Sequence, residues 1–326
     1  MIREPAYFWF RLFRTRGIGP KALAAIQREL VAAGIAPEQV PMNRQELFES
    51  YPALAKLFAD KVVGDDADAL WEEFESIQGR GVEVVYPGHP DAPADSIVNA
   101  ERYGVSPVLF CKGQTRLLKS VSAAIVGSRN ATEIGFSAAS EIAAGLASNG
   151  VNVVSGYAKG VDTQAHLGAL RADGTTTMVL SYGILEFAQK RSLFEFRLDQ
   201  DALAVSQFAP RDHWSGGNAM SRNKLVTALS RSLVVIESGP ERDERGRMSG
   251  TFAAARSALK MHRPVFVLDP DCFERPPAGN IDLLGLGATA IDASSGTAVV
   301  AAASQSALPG MNPEANGSQQ EQLFRL

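Results

Sequence analysis

The sequence predicts an α/β fold in which a mostly parallel sheet carries helices on both faces and follows a small N-terminal helical domain. Six short apolar runs between residues 123 and 268 have the length of buried strands. Helical patterns separate most of these runs, and strands that alternate with helices form parallel sheets covered on both sides. Residues 1–80 instead carry apolar side chains at helical spacing.

The first 118 residues divide into two predicted segments. Residues 1–80 form the small helical domain, with the turn Gly17-Ile18-Gly19 between two helical patterns. Such a turn can present backbone N–H groups to a phosphate, although a corner that packs the small domain is the favoured interpretation. Residues 81–118 are punctuated by prolines and have strand-like ends at 82–86 and 108–112, which predicts a connector laid onto the main domain.

Residues 119–300 form the predicted main domain, and the polar residues 301–326 a flexible tail. The helical pattern after the first strand places Ile134, Ala138, Ile142 and Leu146 on one face, and Gly150 follows where a helix commonly ends in a left-handed residue. The predicted strands are Ala123–Val126, Val151–Val154, Thr176–Leu180, Ala202–Ser206, Leu233–Glu237 and Pro264–Leu268.

Composition restricts the class of protein. With 326 residues, 45% hydrophobic and 21% charged, the chain can bury a sizeable core. A formal net charge of −4 argues against non-specific coating of nucleic acid but permits a local basic cleft. The two cysteines have no metal-like spacing, no apolar run approaches the roughly 20 residues that span a bilayer, and the start MIREPAYFWF does not resemble a signal peptide. These features predict a soluble cytoplasmic protein without a metal site.

Loops rich in glycine, serine and cations follow several of the predicted strands. In an open α/β sheet, ligands bind beyond the carboxyl ends of the strands, where helix N-termini leave N–H donors free for an anion. The sequence therefore predicts a phosphate site there, with Tyr157 or Trp214 available to stack on a base. The predicted binding residues are Gly127, Ser128, Arg129, Ser155, Gly156, Tyr157, Lys159, Gly160, Asn218, Arg222, Asn223, Lys224, Ser249, Gly250 and Thr251.

Motifs for other chemistries are missing from the sequence. The loop GSRNATEIG lacks the dinucleotide fingerprint, and neither a Walker loop nor a serine nucleophile elbow occurs. Asp162 and His166, four residues apart, could form a metal pair, but a helix-capping aspartate and a bonded histidine are the favoured interpretation. We expect no cofactor and no catalytic residue.

The segment GPERDERGRM carries three acids and three bases. A solvated loop is the favoured interpretation, and in the functional alternative Arg245 or Arg247 would swing toward a ligand.

Taken together, these residues resemble the DNA-processing protein A family (DprA, also called Smf) over most of the chain. The resemblance rests on YPGHPDAPADSIVNAERYGVSPVLFCKGQTRLL, AAIVGSRNATEIG, VVSGYAKGVDTQAHLGAL, MSRNKLVTALSRSLVVIES, SGTFAAARSALKMHRPVFVLDP and AGNIDLLGLGATAI, in that order. The N-terminal segment resembles the family's small helical domain, of the SAM or helix-hairpin-helix kind.

The resemblance implies an extended Rossmann-like domain that binds and protects single-stranded DNA, forms a homodimer and loads a RecA-type recombinase during natural transformation. It implies that Arg129 and Lys159 contact DNA, and that a further set shapes the pocket. This set is Ser128, Gly156, Gly160, Arg222, Asn223 and Lys224. The sequence departs from the family pattern at Tyr157, in the long loop 239–248, in HWSGGNAMSRNK and in a tail too short for a winged-helix domain, so a repair or defence role stays open.

Two other functions of the same superfamily remain as alternatives. Phosphoribohydrolases carry a G-G-x-G-T-x-x-E motif, and here Ala254 takes the place of the catalytic glutamate in RMSGTFAAA. Glu237 could replace that carboxylate, although a structural acceptor for loop N–H groups is the favoured role. A nucleotide-sensing protein would use the same phosphate-binding loops.

Overall fold

Nine strands form one sheet in the computed structural model, which describes residues 4–40, 49–52, 67–294 and 296–306. The order across the sheet is β1-β2-β6-β5-β4-β3-β7-β8-β9. The strands are β1 (Glu83–Val85), β2 (Leu109–Gly113), β3 (Ser122–Val126), β4 (Asn152–Gly156), β5 (Thr176–Val179), β6 (Ala202–Ser206), β7 (Ser232–Val235), β8 (Val265–Leu268) and β9 (Thr289–Ile291).

Helices flank the sheet and precede it. In the described residues they are α1 (Pro5–Arg14), α2 (Pro20–Ala33), α3 (Ala67–Gln78), α4 (Ala94–Val98), α5 (Ala100–Tyr103), α6 (Glu133–Ser148), α7 (Val161–Arg171), α8 (Leu198–Asp201), α9 (Gly216–Ala228), α10 (Gly250–Lys260), α11 (Ala278–Gly285) and α12 (Gly296–Gln305). Short 3₁₀ segments lie at Pro37–Gln39, Thr115–Lys119, Ile184–Glu186, Arg191–Leu193 and Pro270–Cys272. None of the helices described is long and apolar enough to cross a membrane.

The sheet is mostly parallel because helical connections return the chain to the same end. Strands β3 to β9 run parallel to one another, whereas β1 pairs antiparallel with β2, and β2 pairs antiparallel with β6. From β3 the chain winds outward to β6 on one side, and then crosses to β7 on the other. The boundary between β3 and β7 is thus a topological switch point, where α/β sheets open a crevice for ligands.

Both faces of the sheet are covered, as expected for parallel strands with apolar sequences. On one face, α6, α7 and α12 contribute Ile142, Ala165 and Val300 to the core. On the other face, α9, α10 and α11 contribute Leu225, Phe252 and Leu283 to a second cluster.

The N-terminal helices share a third hydrophobic cluster with the sheet edge formed by β1 and β2. The rings of Phe10 and Phe13 approach the ring of Phe110 in β2 edge-on, with centroids 6.2 and 5.0 Å apart. Between α1 and α2, Gly17 takes the left-handed conformation with φ 80°. The Gly17-Ile18-Gly19 turn thus joins two helices as predicted.

All six predicted strands are present, each within two residues of its predicted bounds. The strand-like ends of segment 81–118 are β1 and β2, which extend the sheet antiparallel. The short edge strand β9 was not predicted, and two of its three residues are exposed. Within the predicted tail, α12 continues to Gln305, and residues 307–326 lie outside the described residues.

The predicted apolar face of α6 is correct for three of its four residues. Ala138, Ile142 and Leu146 are buried, but Ile134, in the first turn of α6, is 43% exposed. Gly150 has φ 70°, the left-handed conformation predicted after this helix.

Close packing of α6 on α7 depends on Gly168. A Cβ atom added there would lie 2.8 Å from Cα of Ser140, and closer still to the carbonyl oxygen of Ser140. We expect Gly168→Ala to lower the free energy of unfolding by about 1–3 kcal/mol through overpacking. Urea denaturation measures this change.

The matched control is Gly285→Ala at the end of α11, where a Cβ would meet nothing within 4 Å. This change should leave stability unchanged or raise it by up to about 1 kcal/mol. Equal stability of the two variants would contradict the close contact between α6 and α7.

Candidate functional site

A cleft of about 360 Å³ opens at the carboxyl ends of β3, β4 and β7, at the topological switch point. Loops that follow these strands form its walls, together with the first turns of α9 and α10. The residues lining it are Val126, Gly127, Ser128, Arg129, Ala158, Asp162, Trp214, Gly216, Ala219, Met220, Arg222, Asn223, Gly239, Ser249, Gly250, Thr251 and Ala254.

The loop after β3 lies directly against the loop after β4. Gly160 has φ 82°, and a Cβ there would lie 2.5 Å from the carbonyl oxygen of Ser128 and 2.7 Å from Cα of Arg129. The backbone N–H of Val161 donates to the same Ser128 oxygen at 3.2 Å. Glycine at 160 therefore lets the two cation-bearing loops touch.

Arg129 and Lys159 lie on these adjoining loops, and both are exposed. Within the described residues, no carboxylate forms an ion pair with either of them. Arg129 lines the cleft, whereas Lys159 lies outside its lining. We call these two adjoining loops the rim of the cleft. Both charges are available to a ligand that crosses the rim.

The floor of the cleft holds a buried ion pair. The Arg222 guanidinium donates to Asp162 Oδ2 at 3.5 Å and to the Val179 carbonyl at 3.4 Å, and the side chains of Arg222 and Asp162 are only 7% and 9% exposed. Burial lowers the pKa of Arg222, and the Asp162 carboxylate opposes that shift. Gly156 is needed here, because a Cβ at this position would overlap the guanidinium.

Two helices begin at the cleft with serine caps. Ser215 accepts a hydrogen bond from the Asn218 N–H at 3.0 Å at the start of α9, and Ser249 accepts one from the Phe252 N–H at 3.3 Å at the start of α10. Asn223 Nδ2 donates to the Gly250 carbonyl at 2.9 Å and joins the two helices. The positive ends of both helix dipoles therefore face the cleft.

Ser155, Lys224 and Asn218 were predicted to bind the ligand but do not line the cleft. Ser155 is fully buried and donates to the Ile125 carbonyl at 2.7 Å, which ties β4 to β3. Lys224 projects toward Gly104, the residue that follows α5. A Cβ atom added to Gly104 would lie 3.2 Å from Nζ of Lys224. Asn218 Nδ2 donates to the His213 carbonyl at 3.3 Å and does not line the cleft.

Tyr157 and Trp214, the two aromatic candidates for stacking, have different environments. The Tyr157 hydroxyl donates to the Ala188 carbonyl at 3.1 Å and accepts from the Lys190 N–H at 2.7 Å, so its ring packs against the segment 187–190. Trp214 is 57% exposed and lines the cleft. Trp214 is therefore the aromatic side chain that a ligand can reach.

Lys190 supports the site but was missed in the sequence, because no motif surrounds it. Its Nζ donates to the Ala158 carbonyl at 2.7 Å and to Thr163 Oγ1 at 2.9 Å, and it lies 4.3 Å from the centroid of the Tyr157 ring. Burial lowers the pKa of Lys190 to about 8. The residue fixes the loop that carries Lys159.

Asp162 and His166 have structural partners. Asp162 accepts the Ala158 N–H at 3.3 Å in addition to Arg222. His166 is fully buried, with Nε2 2.7 Å from the Gly156 carbonyl and Nδ1 2.7 Å from Thr176 Oγ1. Since a carbonyl only accepts, Nε2 carries the hydrogen.

Glu237 is a structural acceptor, as the sequence favoured. Its Oε2 accepts the Thr132 N–H and hydroxyl, both at 2.9 Å. The carboxylate thereby holds the segment that leads into α6.

The loop 239–248 is mostly exposed, and Glu241, Asp243 and Arg247 of its charged residues form ion pairs within it or nearby. Arg247 pairs with Asp243 at 2.7 Å, and Arg256 of α10 pairs with Glu241 at 3.0 Å. The N–H and guanidinium of Arg247 lower the pKa of Asp243. This arrangement fits the solvated interpretation, in which the Arg247 guanidinium pairs with a carboxylate of its own loop.

Comparisons with known proteins identify relatives of this chain. The sequence model of the family described as DNA recombination-mediator protein A matches residues 83–302, which include the cleft. The chain is 27% identical over 300 residues to protein Smf of Synechocystis, which covers 89% of this chain and 71% of that protein. It is 31% identical over 170 residues to the DNA processing protein DprA of Streptococcus pneumoniae, which covers 52% of this chain and 57% of that protein.

A solved structure has the same fold. The X-ray structure of DNA processing protein A from Streptococcus pneumoniae matches with a TM-score of 0.70 and 23% sequence identity, and covers 90% of this chain and 97% of that chain. The extended α/β architecture predicted from the sequence is therefore confirmed.

The packing of Gly156 against Arg222 gives a first prediction for the site. We expect Gly156→Ala to displace the guanidinium from the floor and to lower the free energy of unfolding by about 1–3 kcal/mol. Gly216→Ala, in the same cleft, meets nothing within 4 Å and should be silent. Chemical denaturation compares the two variants, and a silent Gly156→Ala would contradict the floor geometry.

Buried His166 gives a pH dependence. Burial lowers its pKa from 6.5 to about 4, so the unfolded chain binds a proton at mildly acidic pH that the folded chain does not. Stability from this group is complete above pH 6.5 and falls toward pH 4, by about 2–3 kcal/mol between pH 7 and 4.5. His166→Gln should lose this part of the pH dependence. Urea denaturation at both pH values measures it, and identical pH profiles for both proteins would refute the assignment.

Proposed function

Because this chain belongs to the DNA recombination-mediator protein A family, we propose that it binds single-stranded DNA across the cleft at the topological switch point. The observation that carries this proposal is the placement of Arg129 and Lys159 on adjoining loops, both exposed and without an ion pair among the described residues. Two unpaired cations on one rim suit successive phosphates of a strand.

The rest of the cleft supports the same ligand. The capped N-termini of α9 and α10 add backbone N–H donors and positive dipole ends near the phosphates. Trp214 offers an exposed ring on which an unpaired base can stack. A duplex hides its base faces, so an exposed aromatic side chain favours the single strand.

The cations at the opposite end of the sheet differ from Arg129 and Lys159 in having protein partners. A second cleft of about 230 Å³ there is lined by Lys119, Arg231 and Arg263 among other residues. All three cations are engaged: Arg263 pairs with Asp95, Arg231 donates to the Ser304 carbonyl, and Lys119 donates to the Pro90 carbonyl. Unlike these three cations, Arg129 and Lys159 make no side-chain hydrogen bond or ion pair with the described residues.

Hydrolysis of a glycosidic bond is the weaker alternative. Ala254 lines the cleft where the resemblance to phosphoribohydrolases requires a glutamate. Glu237 holds Thr132 instead. We therefore propose a binding protein without catalytic turnover.

Three further parts of the proposal are supported only by the membership of this chain in the family. They are the protection of single-stranded DNA, the loading of a RecA-type recombinase and a homodimeric state. Sedimentation of the protein with and without an oligonucleotide measures the oligomeric state.

The rim cations give the principal prediction. Arg129→Ala combined with Lys159→Ala should weaken binding to oligonucleotides of any sequence and reduce the salt slope, d log K/d log [salt], by about 1.4, since each phosphate contact of a single strand contributes about 0.7. Fluorescence anisotropy at several salt concentrations measures both effects.

The matched control removes the same charge from exposed positions outside the cleft, with Arg80→Ala combined with Lys260→Ala. This control should keep the salt slope of the wild type. A double variant of Arg129 and Lys159 that binds as tightly as the wild type would refute the assignment of the rim.

Trp214 gives a separate prediction. Trp214→Ala should weaken single-stranded DNA binding by about 1–3 kcal/mol, the value of one base stacked on an aromatic ring. Phe194→Ala removes a 65% exposed aromatic ring outside the cleft and should have no effect. Anisotropy titrations compare the two, and equal losses would argue against stacking at Trp214.

The same titrations separate the alternatives. Preference for a single strand over a duplex and over a mononucleotide supports the proposal. Tight mononucleotide binding without affinity for the polymer favours a nucleotide sensor, and release of free base favours a hydrolase.

A further inference from the structure

The second cleft, at the amino ends of the strands, is lined by cations that come from three neighbouring strands. Lys119 lies three residues before β3, Arg231 directly before β7, and Arg263 two residues before β8. These strands are adjacent and parallel, so their amino ends meet along one edge of the sheet. The fold therefore brings the three charges into one cleft of about 230 Å³ although they are far apart in sequence.

Arg263 is buried and has more hydrogen-bonding capacity than the protein uses. Its side chain is only 3% exposed, and its Nη2 donates to Asp95 Oδ2. Its buried Nε has no hydrogen-bond partner within the described part of the chain. Because a guanidinium carries five N–H donors and buried donors normally find partners, this residue points to a ligand in the cleft that it lines.

Asp95, the acidic residue of the lining, is already neutralised and hydrogen-bonded. Besides the Arg263 guanidinium, Asn99 Nδ2 donates to Asp95 Oδ1 at 3.0 Å. The Tyr103 hydroxyl donates to Asp95 Oδ2 at 3.2 Å. The carboxylate therefore balances one of the three cations and leaves the other two charges without a counterion.

Lys119 and Arg231 are those two cations, and both keep N–H donors free. Lys119 Nζ donates to the Pro90 carbonyl at 3.1 Å, and Arg231 Nη1 donates to the Ser304 carbonyl at 3.4 Å. Neither forms an ion pair with any residue that the structure describes. Since an ammonium has three N–H donors and a guanidinium has five, both side chains can also donate into the cleft.

This set of donors suits a phosphate group. Arginine and lysine form short, charge-assisted hydrogen bonds with phosphate oxygens. Donors that arrive from three strands match the several oxygens of a tetrahedral anion, and two unbalanced positive charges match a phosphate that carries close to two negative ones. The cleft is smaller than the roughly 300–1,000 Å³ of sites for drug-sized ligands, which favours a small phosphate compound over a dinucleotide.

We propose that the second cleft binds one phosphate group, as inorganic phosphate or as the phosphate of a small ester such as a nucleoside monophosphate. The group contacts Lys119, Arg231 and Arg263, and so connects the segment before β3 to the amino ends of β7 and β8. The site lies at the end of the sheet opposite the DNA cleft and does not depend on DNA binding. Its occupation stabilises the folded chain, because a ligand that binds only the folded state raises the free energy of unfolding.

Equilibrium dialysis against radiolabelled inorganic phosphate, at an ionic strength held constant with sodium chloride, tests the proposal. Lys119→Gln combined with Arg231→Gln should lower the phosphate affinity about a hundredfold, because each lost charge-assisted hydrogen bond costs about tenfold. The matched control removes the rim, with Arg129→Ala combined with Lys159→Ala. This control should still bind one phosphate per chain with the affinity of the wild type.

A single variant keeps the test decisive if the double glutamine variant does not fold. Lys119 is exposed, so Lys119→Gln leaves Arg231 and Arg263 in place. It should lower the phosphate affinity about tenfold, whereas Lys119→Arg keeps the charge and should retain binding. Unchanged affinity in Lys119→Gln contradicts the proposal.

Competition identifies which phosphate compound the site prefers. Unlabelled inorganic phosphate and a nucleoside 5′-monophosphate are compared on the Arg129→Ala, Lys159→Ala variant, so that the rim does not contribute. Stronger competition by the monophosphate assigns a small phosphate ester as the ligand, and equal competition assigns the phosphate group alone.

Three results overturn the proposal. The first is failure of the wild type to bind either compound at millimolar concentrations. The second is loss of binding in the rim variant alone, which places the phosphate at the rim and leaves the proposed function intact. The third is equal weakening in the rim variant and the double glutamine variant, which shows only long-range attraction by the protein's charges.

Discussion

The contact between two loop backbones determines the arrangement of this site. β3 lies between β4 and β7 in the sheet, so the loops after β3 and β4 emerge side by side at the switch point. Gly160 adopts φ 82° and leaves no room for a Cβ beside Ser128 and Arg129. That close approach brings Arg129 and Lys159 together although they are far apart in sequence. The cationic rim of the cleft follows from this packing.

Unpaired cations lie at the rim of the cleft, and paired charges lie deeper in it. The chain has a formal net charge of −4, yet the rim of the cleft carries cations free of carboxylate partners, which is where affinity for a polyanion arises. Deeper in the cleft, Arg222 is balanced by Asp162, which limits the cost of burying the guanidinium. The Lys190 ammonium donates to the carbonyl of Ala158 and stabilises the loop that carries Lys159. The charges without a protein partner thus lie at the rim of the cleft, whereas those on its floor neutralise each other.

Much of this could be predicted from the sequence, because apolar runs and glycine-rich turns are local signals. The six core strands, the left-handed Gly150 and the loops bearing Arg129 and Lys159 are of this kind. Residues whose role depends on distant partners could not be predicted. Lys190 has no local motif, and Tyr157 is held by a hydrogen bond from Lys190, 33 residues away. Lys224 turns to the opposite side of α9 from the cleft because it lies two positions after Arg222. Ser155 likewise looks like a loop residue, but β4 continues through it to Gly156.

Photo-cross-linking of the wild-type protein shows whether a bound strand crosses the cleft at the switch point. An oligonucleotide with 5-iodouracil in place of thymine is bound to the wild-type protein, irradiated, and the adducts are mapped by mass spectrometry. Because 5-iodouracil reacts preferentially with aromatic and sulfur-containing side chains, we expect adducts at Trp214 and Met220, which line the cleft at the carboxyl ends of the strands. Adducts confined to the opposite end of the sheet, for example at Tyr103 beside Arg263, would show that the strand does not cross the cleft.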